Sequence, residues 1–311
     1  MLAIKTEGLC KDYRLGFWRR RTRVLHALDL TVEAGETFGY LGPNGAGKTT
    51  TLKLLLGLVL PSAGRAWLLE QEVGDPEVRA AVGFLPENPS FYDYLTGEEF
   101  LAYGARLAGI PRRRAREQIA ALLDQVGLMG AGRMQLRKYS KGMLQRIGLA
   151  QALLGDPPLV ILDEPMSGLD PIGRKEVRDI ILRLRAEGRT VFFSSHIIPD
   201  VEMICDRVGI LLGGRLARVG RLDELLGTEV ESVEVTAVGL PEPIVEELGV
   251  LALAPPLVQG GRALFRLRGD VEVDKLLRRV LEAGGRIASV TPQKRGLEEL
   301  FLAEVRAGAR R

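Results

Sequence analysis

The sequence of 311 residues predicts an α/β fold with a buried parallel sheet, followed by a small α+β domain. A glycine-rich turn joins the apolar strand from Thr37 to Leu41 to a helix with periodic apolar residues. The continuous apolar run from Leu159 to Leu162 is typical of a strand buried on both faces of a parallel sheet. After about residue 228, strand and helix patterns follow one another in the order βαββαβ, which indicates a ferredoxin-like domain.

The glycine-rich turn has the pattern of a phosphate-binding loop, two glycines separated by four residues and followed by Lys and Thr. Its residues are Gly42, Pro43, Asn44, Gly45, Ala46, Gly47, Lys48, Thr49 and Thr50. Glycines let backbone N–H groups turn toward phosphate oxygens, and the following helix N-terminus adds partial positive charge. Lys48 can reach the β- and γ-phosphates, and Thr49 can place its hydroxyl on Mg²⁺. We therefore predict a nucleotide site rather than an ordinary glycine turn.

The region before this loop predicts short strands at residues 4–9, 27–32, 36–41 and 64–69, with the loop following the third. Tyr13 follows the first strand, where its ring could stack on a purine or pack at the surface. The arginine-rich segment 14–23, which contains Phe17 and Trp18, could touch lipid headgroups or form a solvated loop.

The middle of the chain changes from strand to helix after a strand at residues 81–85 that ends at Pro86 and Glu87. Thr96 and Glu99 form a predicted capping box, and a second helix starts near Arg114 and ends at Gly127. Residues 89–94 lie between this strand and the first of these helices. They carry three aromatic side chains that could dock a partner or pack on the next helix. Ser140 can cap a third helix or, with Gly142, bind an anion.

Polar residues follow two buried strands at the edge where α/β sheets place ligands. Asp163 and Glu164 follow the run from Leu159 to Leu162. Asp163 fits a Mg²⁺ ligand, and Glu164 fits a base for the attacking water. His196 follows a predicted strand at residues 190–194 and could be a cap or a catalytic group. A basic helix is predicted at residues 172–187, and a last strand of this part at residues 207–212.

Composition narrows the class of protein. Hydrophobic residues make up 46% of the chain, enough for a buried core, and the net charge of +3 does not by itself indicate nucleic-acid binding. Two cysteines without a CxxC spacing disfavour a disulfide framework or a zinc site and suit a reducing cytoplasm. The first residues lack an apolar signal core, and no apolar stretch approaches the ~20 residues that span a bilayer, so membrane association is expected through a partner.

Together these motifs resemble the nucleotide-binding subunit of an ATP-binding cassette (ABC) transporter over residues 1–225. The resemblance lies in their order: residues 42–50, a signature-like segment at 139–146, the acidic pair 163–164, Asp170 and His196. It implies a phosphate-loop NTPase core with an antiparallel β subdomain and a helical subdomain inserted at about 88–155. The predicted domains are 1–227, the ATPase, and 228–311, an accessory α+β domain.

The resemblance also implies roles for single residues. Tyr13 would stack on adenine, and the loop from Gly42 with Lys48 would hold the phosphates. Thr49 and Asp163 would organise Mg²⁺, Glu164 would polarise water and His196 would contact the γ-phosphate. Ser140 and Gly142 would close over ATP bound to the other subunit of a head-to-tail homodimer, and Asp170 would be a further nucleotide-binding residue.

Two departures from the family pattern favour the drug- and antibiotic-exporter subtype. The signature segment reads Tyr139-Ser140-Lys141-Gly142-Met143 where the family has Leu-Ser-Gly-Gly-Gln. Glu87 stands where the family has a glutamine; its carboxylate can bind Mg²⁺ but adds negative charge beside the γ-phosphate.

The C-terminal domain has no catalytic constellation, and we expect a stabilising or dimer-forming role. Its predicted elements are a strand at 232–236, a helix near 243–248, strands near 250–254 and 262–268, a helix opening at Asp270, a strand at 286–291 and a closing amphipathic helix.

The sequence is compatible with three functions. The leading one is an ATPase that powers a separate integral membrane permease, with no nucleic-acid partner. The second is a soluble mechanical ABC-type ATPase acting on nucleic acid or ribosomes; such proteins often carry two cassettes or a long coiled-coil insertion, and this chain has one cassette. The third is a regulatory module without turnover, against which Glu164 and His196 weigh.

Overall fold

The structure is a computed structural model that describes residues 1–15, 20–226, 230–294 and 296–308. Its strands are β1 (Leu2–Leu15), β2 (Arg20–Glu33), β3 (Thr37–Leu41), β4 (Ala63–Leu68), β5 (Gln71–Glu72), β6 (Val82–Leu85), β7 (Leu159–Leu162), β8 (Thr190–Ser195), β9 (Arg207–Leu212), β10 (Arg215–Arg221), β11 (Val230–Val238), β12 (Leu257–Gln259), β13 (Arg262–Leu267) and β14 (Arg286–Lys294). Its helices are α1 (Lys48–Leu55), α2 (Pro76–Ala80), α3 (Gly97–Leu107), α4 (Arg112–Gln125), α5 (Lys141–Ala152), α6 (Pro171–Ala186), α7 (Ile198–Ile204), α8 (Leu222–Leu226), α9 (Glu242–Gly249), α10 (Asp270–Glu282) and α11 (Leu297–Gly308). The chain divides into two compact units, Met1–Leu222 and Asp223–Ala307.

The core of the first unit is a six-stranded sheet in the order β10-β9-β3-β8-β7-β6. All neighbouring strands run parallel except β10, which is antiparallel to β9. Every residue of β3, β7 and β8 is buried, as the continuous apolar runs predict for strands covered on both faces. The predicted α/β class is therefore confirmed, and β3, β8, β7 and β6 end side by side at one edge.

A second, antiparallel sheet has the order β2-β1-β4-β5. Strands β1 and β2 are longer than the predicted segments 4–9 and 27–32, because they continue past several register shifts. Asp12 on β1 accepts hydrogen bonds from Arg23 on β2 and pairs with Arg21, at 2.7 and 2.6 Å, and these cross-strand ion pairs support the extension. The placement of Tyr13 after the strand was wrong, since it lies within β1 opposite Thr22. Phe17 and Trp18 of the arginine-rich segment lie outside the described residues.

Helices α3, α4 and α5 lie between β6 and β7 in the chain, as predicted. The capping box at α3 is present: the Thr96 side chain accepts from Glu99 N, and the Glu99 carboxylate accepts from Thr96 N at 2.8 Å. Gly127 has a φ of +66° just after α4, where the sequence predicted the end of that helix. In the described ranges, no helix is long and apolar enough to cross a membrane.

The second unit has the predicted βαββαβ order, folded into an antiparallel sheet with the order β12-β13-β11-β14. Helices α9 and α10 cover one face with a core that includes Phe265 and Leu276. The predicted strand at 250–254 was wrong, because Ala252 N bonds to Gly249 O in a turn and the strand forms only at β12. Leu251 and Ala252 pack against the core, which explains the apolar pattern there. The predicted boundary between 227 and 228 falls outside the described residues.

Candidate functional site

The parallel sheet brings most of the predicted site residues to one edge. Strand β3 leads into the loop from Gly42, β8 leads to His196, β7 leads to Asp163 and Glu164, and β6 leads to Glu87. The carboxyl ends of adjacent parallel strands form the ligand-binding edge of an α/β sheet. The order β3-β8-β7-β6 therefore places these segments next to one another.

The packing around the loop requires glycine at two positions of the phosphate-binding pattern, Gly42 and Gly47. A Cβ atom at Gly42 would lie 2.5 Å from Leu211 O, and one at Gly47 would lie 2.9 Å from Leu25 Cδ2. Gly47 also has a φ of +109°, in the region that favours glycine. Pro43, Asn44 and Gly45 are exposed at the tip of the loop, whereas Ala46 is buried and Thr49 and Thr50 are half-buried in the first turn of α1.

Two buried hydroxyl groups, those of Tyr40 and Thr51, support the phosphate-binding loop, and the sequence did not single them out. Thr51 Oγ1 donates to Gly47 O at 3.1 Å and lies 3.2 Å from the hydroxyl of Tyr40. Burial raises the pKa of Tyr40 well above its ordinary value, so its phenol stays protonated and donates to Thr51.

Lys48 is a buried cation at the entrance of α1. Its Nζ donates to Gly42 O at 2.7 Å and to Pro43 O at 3.3 Å. It also lies 3.1 Å from Glu164 Oε1, and each of the two side chains is 6% exposed. A buried ammonium in the first turn of a helix that follows a glycine-rich loop favours anionic phosphate oxygens, so these residues fit a bound nucleotide.

Glu164 links the loop to the histidine. Its Oε2 lies 2.8 Å from Nδ1 of His196, whose side chain is 40% exposed. The residue before helix α7 is Ile197, which makes no side-chain cap, so His196 contacts a carboxylate rather than capping the helix. Glu164 has a φ of +48°, an uncommon conformation for a residue with a side chain. The two contacts place this carboxylate, which can accept a proton from water, beside the phosphate-binding loop.

Asp163 is held by a residue that the sequence did not single out. Ser194, on β8, donates its hydroxyl proton to Asp163 Oδ1 at 2.6 Å and accepts a hydrogen bond from Glu164 N at 2.9 Å. The only signal for it in the sequence is a polar residue inside a buried strand. Asp163 is 2% exposed, so this bond satisfies one oxygen of a carboxylate that is otherwise shielded from water.

The same edge fits a magnesium ion. Across the described part of the chain, no cluster of three or more His, Cys, Asp or Glu residues forms a metal cage. Mg²⁺ needs none, because it is usually held by one or two carboxylates together with substrate phosphates and water. Asp163 uses one carboxylate oxygen to accept from Ser194, and its other oxygen and the Thr49 hydroxyl are oxygen donors of the kind that Mg²⁺ prefers. Glu87 is exposed just beyond β6.

Tyr13 lies on β1 of the antiparallel sheet rather than on this edge. Its ring is half-buried, and Nζ of Lys11 lies 5.1 Å from the ring centroid. This is a cation–π contact on one face of the ring.

The remaining predicted residues meet at a different place. Ser140 accepts from Met143 N at 3.2 Å as the cap of α5, and Asp170 accepts from Gly173 N at 2.9 Å as the cap of α6. With Gly142 they line a cavity of about 370 Å³, whose lining residues include none from 42–50. Ser140, Gly142 and Asp170 therefore form one group, separate from the loop in the same chain.

Comparison with known proteins agrees with this arrangement. A family model described as ABC transporter matches residues 25–167. An uncharacterized ABC transporter ATP-binding protein of Nostoc sp. is 48% identical over 97% of this chain and 89% of its own. A bacitracin transport ATP-binding protein of Bacillus licheniformis is 40% identical over 71% of each chain. A solved dimer of an ATP-binding cassette in a post-hydrolysis state, bound to ADP and Pi, has a TM-score of 0.64 at 23% identity and covers 70% of this chain and 98% of its own.

Proposed function

The chain belongs to the ABC transporter family as an ATP-binding, ATP-hydrolysing subunit, and we propose that its ATPase site is built from Lys48, Asp163, Glu164 and His196 and drives a separate permease. The observation that carries this proposal is the contact of Glu164 with both Lys48 and His196. It joins the loop that binds phosphate to a group that can remove a proton from water.

Each residue of the edge has a separate task in this proposal. Lys48 and the N–H groups of the loop bind the phosphates, while Thr49 and Asp163 would hold Mg²⁺, which would neutralise phosphate charge. Glu164 orients water and accepts its proton, and His196 holds Glu164 through Nδ1 and faces the γ-phosphate. Glu87 completes the Mg²⁺ environment at the cost of extra negative charge. Tyr13 stacks on adenine with the ring face opposite Lys11.

The separate cavity supports a homodimer with ATP at its interface. Ser140, Gly142 and Asp170 lie together away from the loop of their own chain, so a second copy in head-to-tail orientation is needed to complete each site. The relative solved as a cassette dimer supports the same assembly. Sedimentation of the Glu164→Gln variant tests it: ATP with Mg²⁺ should convert monomer to dimer, and Ser140→Tyr, which fills the cavity mouth, should prevent the conversion. Dimer formation by the double variant would contradict the proposal.

A surface of three tyrosines is the proposed contact with the permease. Tyr92, Tyr94 and Tyr103 are 48%, 61% and 40% exposed, and their rings pack 5.5 to 6.0 Å apart. Phe91, the remaining aromatic residue of the segment 89–94, packs edge-on against Phe100 at 5.2 Å, which is the packing alternative that the sequence left open. Exposed clustered aromatics are typical of interface centres.

Co-expression with a permease tests this contact and the proposed location on the cytoplasmic face of the membrane. Tyr92→Ser with Tyr94→Ser should release the chain from the membrane fraction and spare basal ATPase activity. Leu107→Ser is the control, because Leu107 is exposed at the end of the same helix as Tyr103. Membrane retention without any permease, or in the double variant, would count against docking through this surface.

We also propose that the transporter is an exporter of antibiotic-like compounds. The support is the bacitracin transport relative together with the Lys141 and Glu87 departures from the family pattern. The comparisons do not favour the alternative of a mechanical ATPase on nucleic acid or ribosomes. In vesicles that contain the reconstituted transporter, ATP supplied on the side of the ATPase should move such a compound away from that side. ATP-driven movement toward the side of the ATPase would contradict the proposal.

For the second unit we propose an accessory domain that supports the dimer. It has its own core, including Val235, Phe265 and Leu276. A chain ending at residue 226 should bind ATP but dimerise more weakly than the full chain in sedimentation. Equal dimerisation would remove this role.

A further inference from the structure

The hydroxyl of Ser194 makes two bonds inside the ATPase site. Ser194 lies on β8 and is fully buried. Its Oγ is 2.6 Å from Asp163 Oδ1 and 2.9 Å from the backbone nitrogen of Glu164. A backbone amide only donates and an ionised carboxylate only accepts, so the hydroxyl proton points to Asp163 and a lone pair points to Glu164. One side chain thus holds both adjacent acidic residues.

The second bond reaches Glu164, a site residue with a side chain and an unusual backbone conformation. At Glu164 the φ of +48° lies in the left-handed region, where a residue with a side chain is held only by its surroundings. Ser194 holds its N–H, and Ser167 N donates to its C=O at 3.0 Å. With both sides of the residue held, the carboxylate is directed between Lys48 and His196.

The neighbouring serine shows that the arrangement is specific to one position. Ser195 is also buried, but its hydroxyl accepts from Ile197 N at 2.9 Å and turns away from the acidic pair. Successive side chains of a strand point to opposite faces of the sheet, so Ser194 and its neighbour Ser195 cannot both reach the acidic pair.

We propose that Ser194 is a positioning residue for ATP hydrolysis. It orients the Asp163 carboxylate so that the oxygen it does not bond remains for Mg²⁺, and it holds Glu164 in the conformation that activates water. The inference rests on the proposed roles of Asp163 and Glu164. Groups that bond a metal-binding carboxylate commonly change metal affinity or activity by 10–100-fold when removed.

Three variants of the full chain test the proposal. Ser194→Ala should lower kcat by about 10–100-fold and weaken Mn²⁺ binding by about tenfold. The Mn²⁺ affinity is measured by electron paramagnetic resonance with a non-hydrolysable ATP analogue, a readout independent of turnover. The KM for ATP should change little, because Lys48 and the loop are untouched. Ser194→Thr, which keeps the hydroxyl and suits a strand, should restore both values.

The matched control is Thr190→Val at the other end of β8. Thr190 is buried, and its hydroxyl accepts from Gly35 N at 2.9 Å, so this change also removes a buried hydroxyl that satisfies a backbone amide. It should lower stability against urea without changing kcat or Mn²⁺ affinity. If Ser194→Ala does not fold, Ser194→Cys, whose thiol is a weaker donor, takes its place and should show the same losses.

Two results would overturn the inference. One is a Ser194→Ala or Ser194→Cys protein whose kcat and Mn²⁺ affinity match those of Thr190→Val. The other is a Ser194→Thr protein as stable as the wild type that retains the low metal affinity of Ser194→Ala. If the proposed function were wrong, the result would be different. Glu164→Gln would then keep the full kcat for ATP hydrolysis, whichever residue occupies position 194.

Discussion

Replacing Glu164 by Gln keeps the shape of the side chain and removes its charge. In the structure this carboxylate lies 3.1 Å from Nζ of Lys48 and 2.8 Å from Nδ1 of His196. The amide of Gln cannot accept a proton from water, so the step that needs a base slows. Nucleotide binding should persist, because Lys48 keeps its bonds to the carbonyls of Gly42 and Pro43.

The size of the effect follows from these contacts. A positioned general base contributes roughly 10²–10⁴-fold to a rate, so kcat should fall by that factor, about 3–5 kcal/mol in the activation barrier. Removing one partner of a buried ion pair costs about 3–5 kcal/mol of stability when the other charge is left alone. Here Lys48 retains two carbonyl acceptors, and we expect a smaller loss of about 1–3 kcal/mol.

Steady-state ATPase assays measure the loss of turnover, and binding of a fluorescent ATP analogue measures whether nucleotide binding persists. Lys48→Ala is the complementary variant, because it should weaken ATP binding by removing the charge that faces the phosphates. Glu117→Gln is the control for charge alone, since Glu117 is an exposed carboxylate on α4 paired with Arg113 and should leave kcat unchanged. A fall of less than about tenfold in kcat for Glu164→Gln would refute the role of this carboxylate as the base.

Four further predictions concern the rest of the molecule. Glu87→Ala should raise the Mg²⁺ concentration for half-maximal ATPase activity while Glu87→Gln leaves activity largely intact; an unchanged titration in the alanine variant would mark an ordinary loop carboxylate. The hydrogen bond from Arg23 lowers the pKa of Asp12 from 3.8 to about 2, so Asp12 stabilises the fold above pH 3.8 and loses this contribution as the pH falls through 2. The melting temperatures of wild type and Asp12→Asn should therefore differ at pH 5 and converge near pH 2, and a constant difference would contradict the ion pair's role. Thr96→Ala should cost about 1 kcal/mol in urea unfolding by removing the cap of α3, whereas Thr96→Ser should not. Leu276→Ala should destabilise the second unit by about 2–5 kcal/mol in calorimetry and spare ATP binding, because this side chain is fully buried in that unit's own core.

Several features were readable from the sequence because they depend on local patterns. The turn from Gly42 to Thr50 needs glycine where the backbone turns, and the capping box at Thr96 joins residues only three positions apart. The run from Leu159 to Leu162 signals a strand buried on both faces, and it predicted that Asp163 and Glu164 would stand at the end of that strand.

Other features could not be read in this way. The apolar residues at 250–254 support a strand as well as a packed turn, and only their contacts with the core of the second unit separate the two. Tyr13 lies within a strand because Asp12 meets arginines on the opposite strand, and such pairings depend on register. Phe91 and Tyr92 are neighbours in sequence, yet one packs inward and the other is exposed.

Spacing along short segments of the sequence predicts the fold class, the phosphate-binding loop and the residue types able to carry the chemistry. Which of these residues contact one another depends on the packing of segments that are distant in the chain. The strand order β3-β8-β7-β6 brings Lys48, Glu164 and His196 into contact and sets the hydroxyl of Ser194 between Asp163 and the Glu164 backbone. Ser140 and Asp170, the caps of α5 and α6, line a separate cavity. These contacts join residues far apart in the chain, and they depend on which strands pair and in which register, which a pattern within one short segment does not specify.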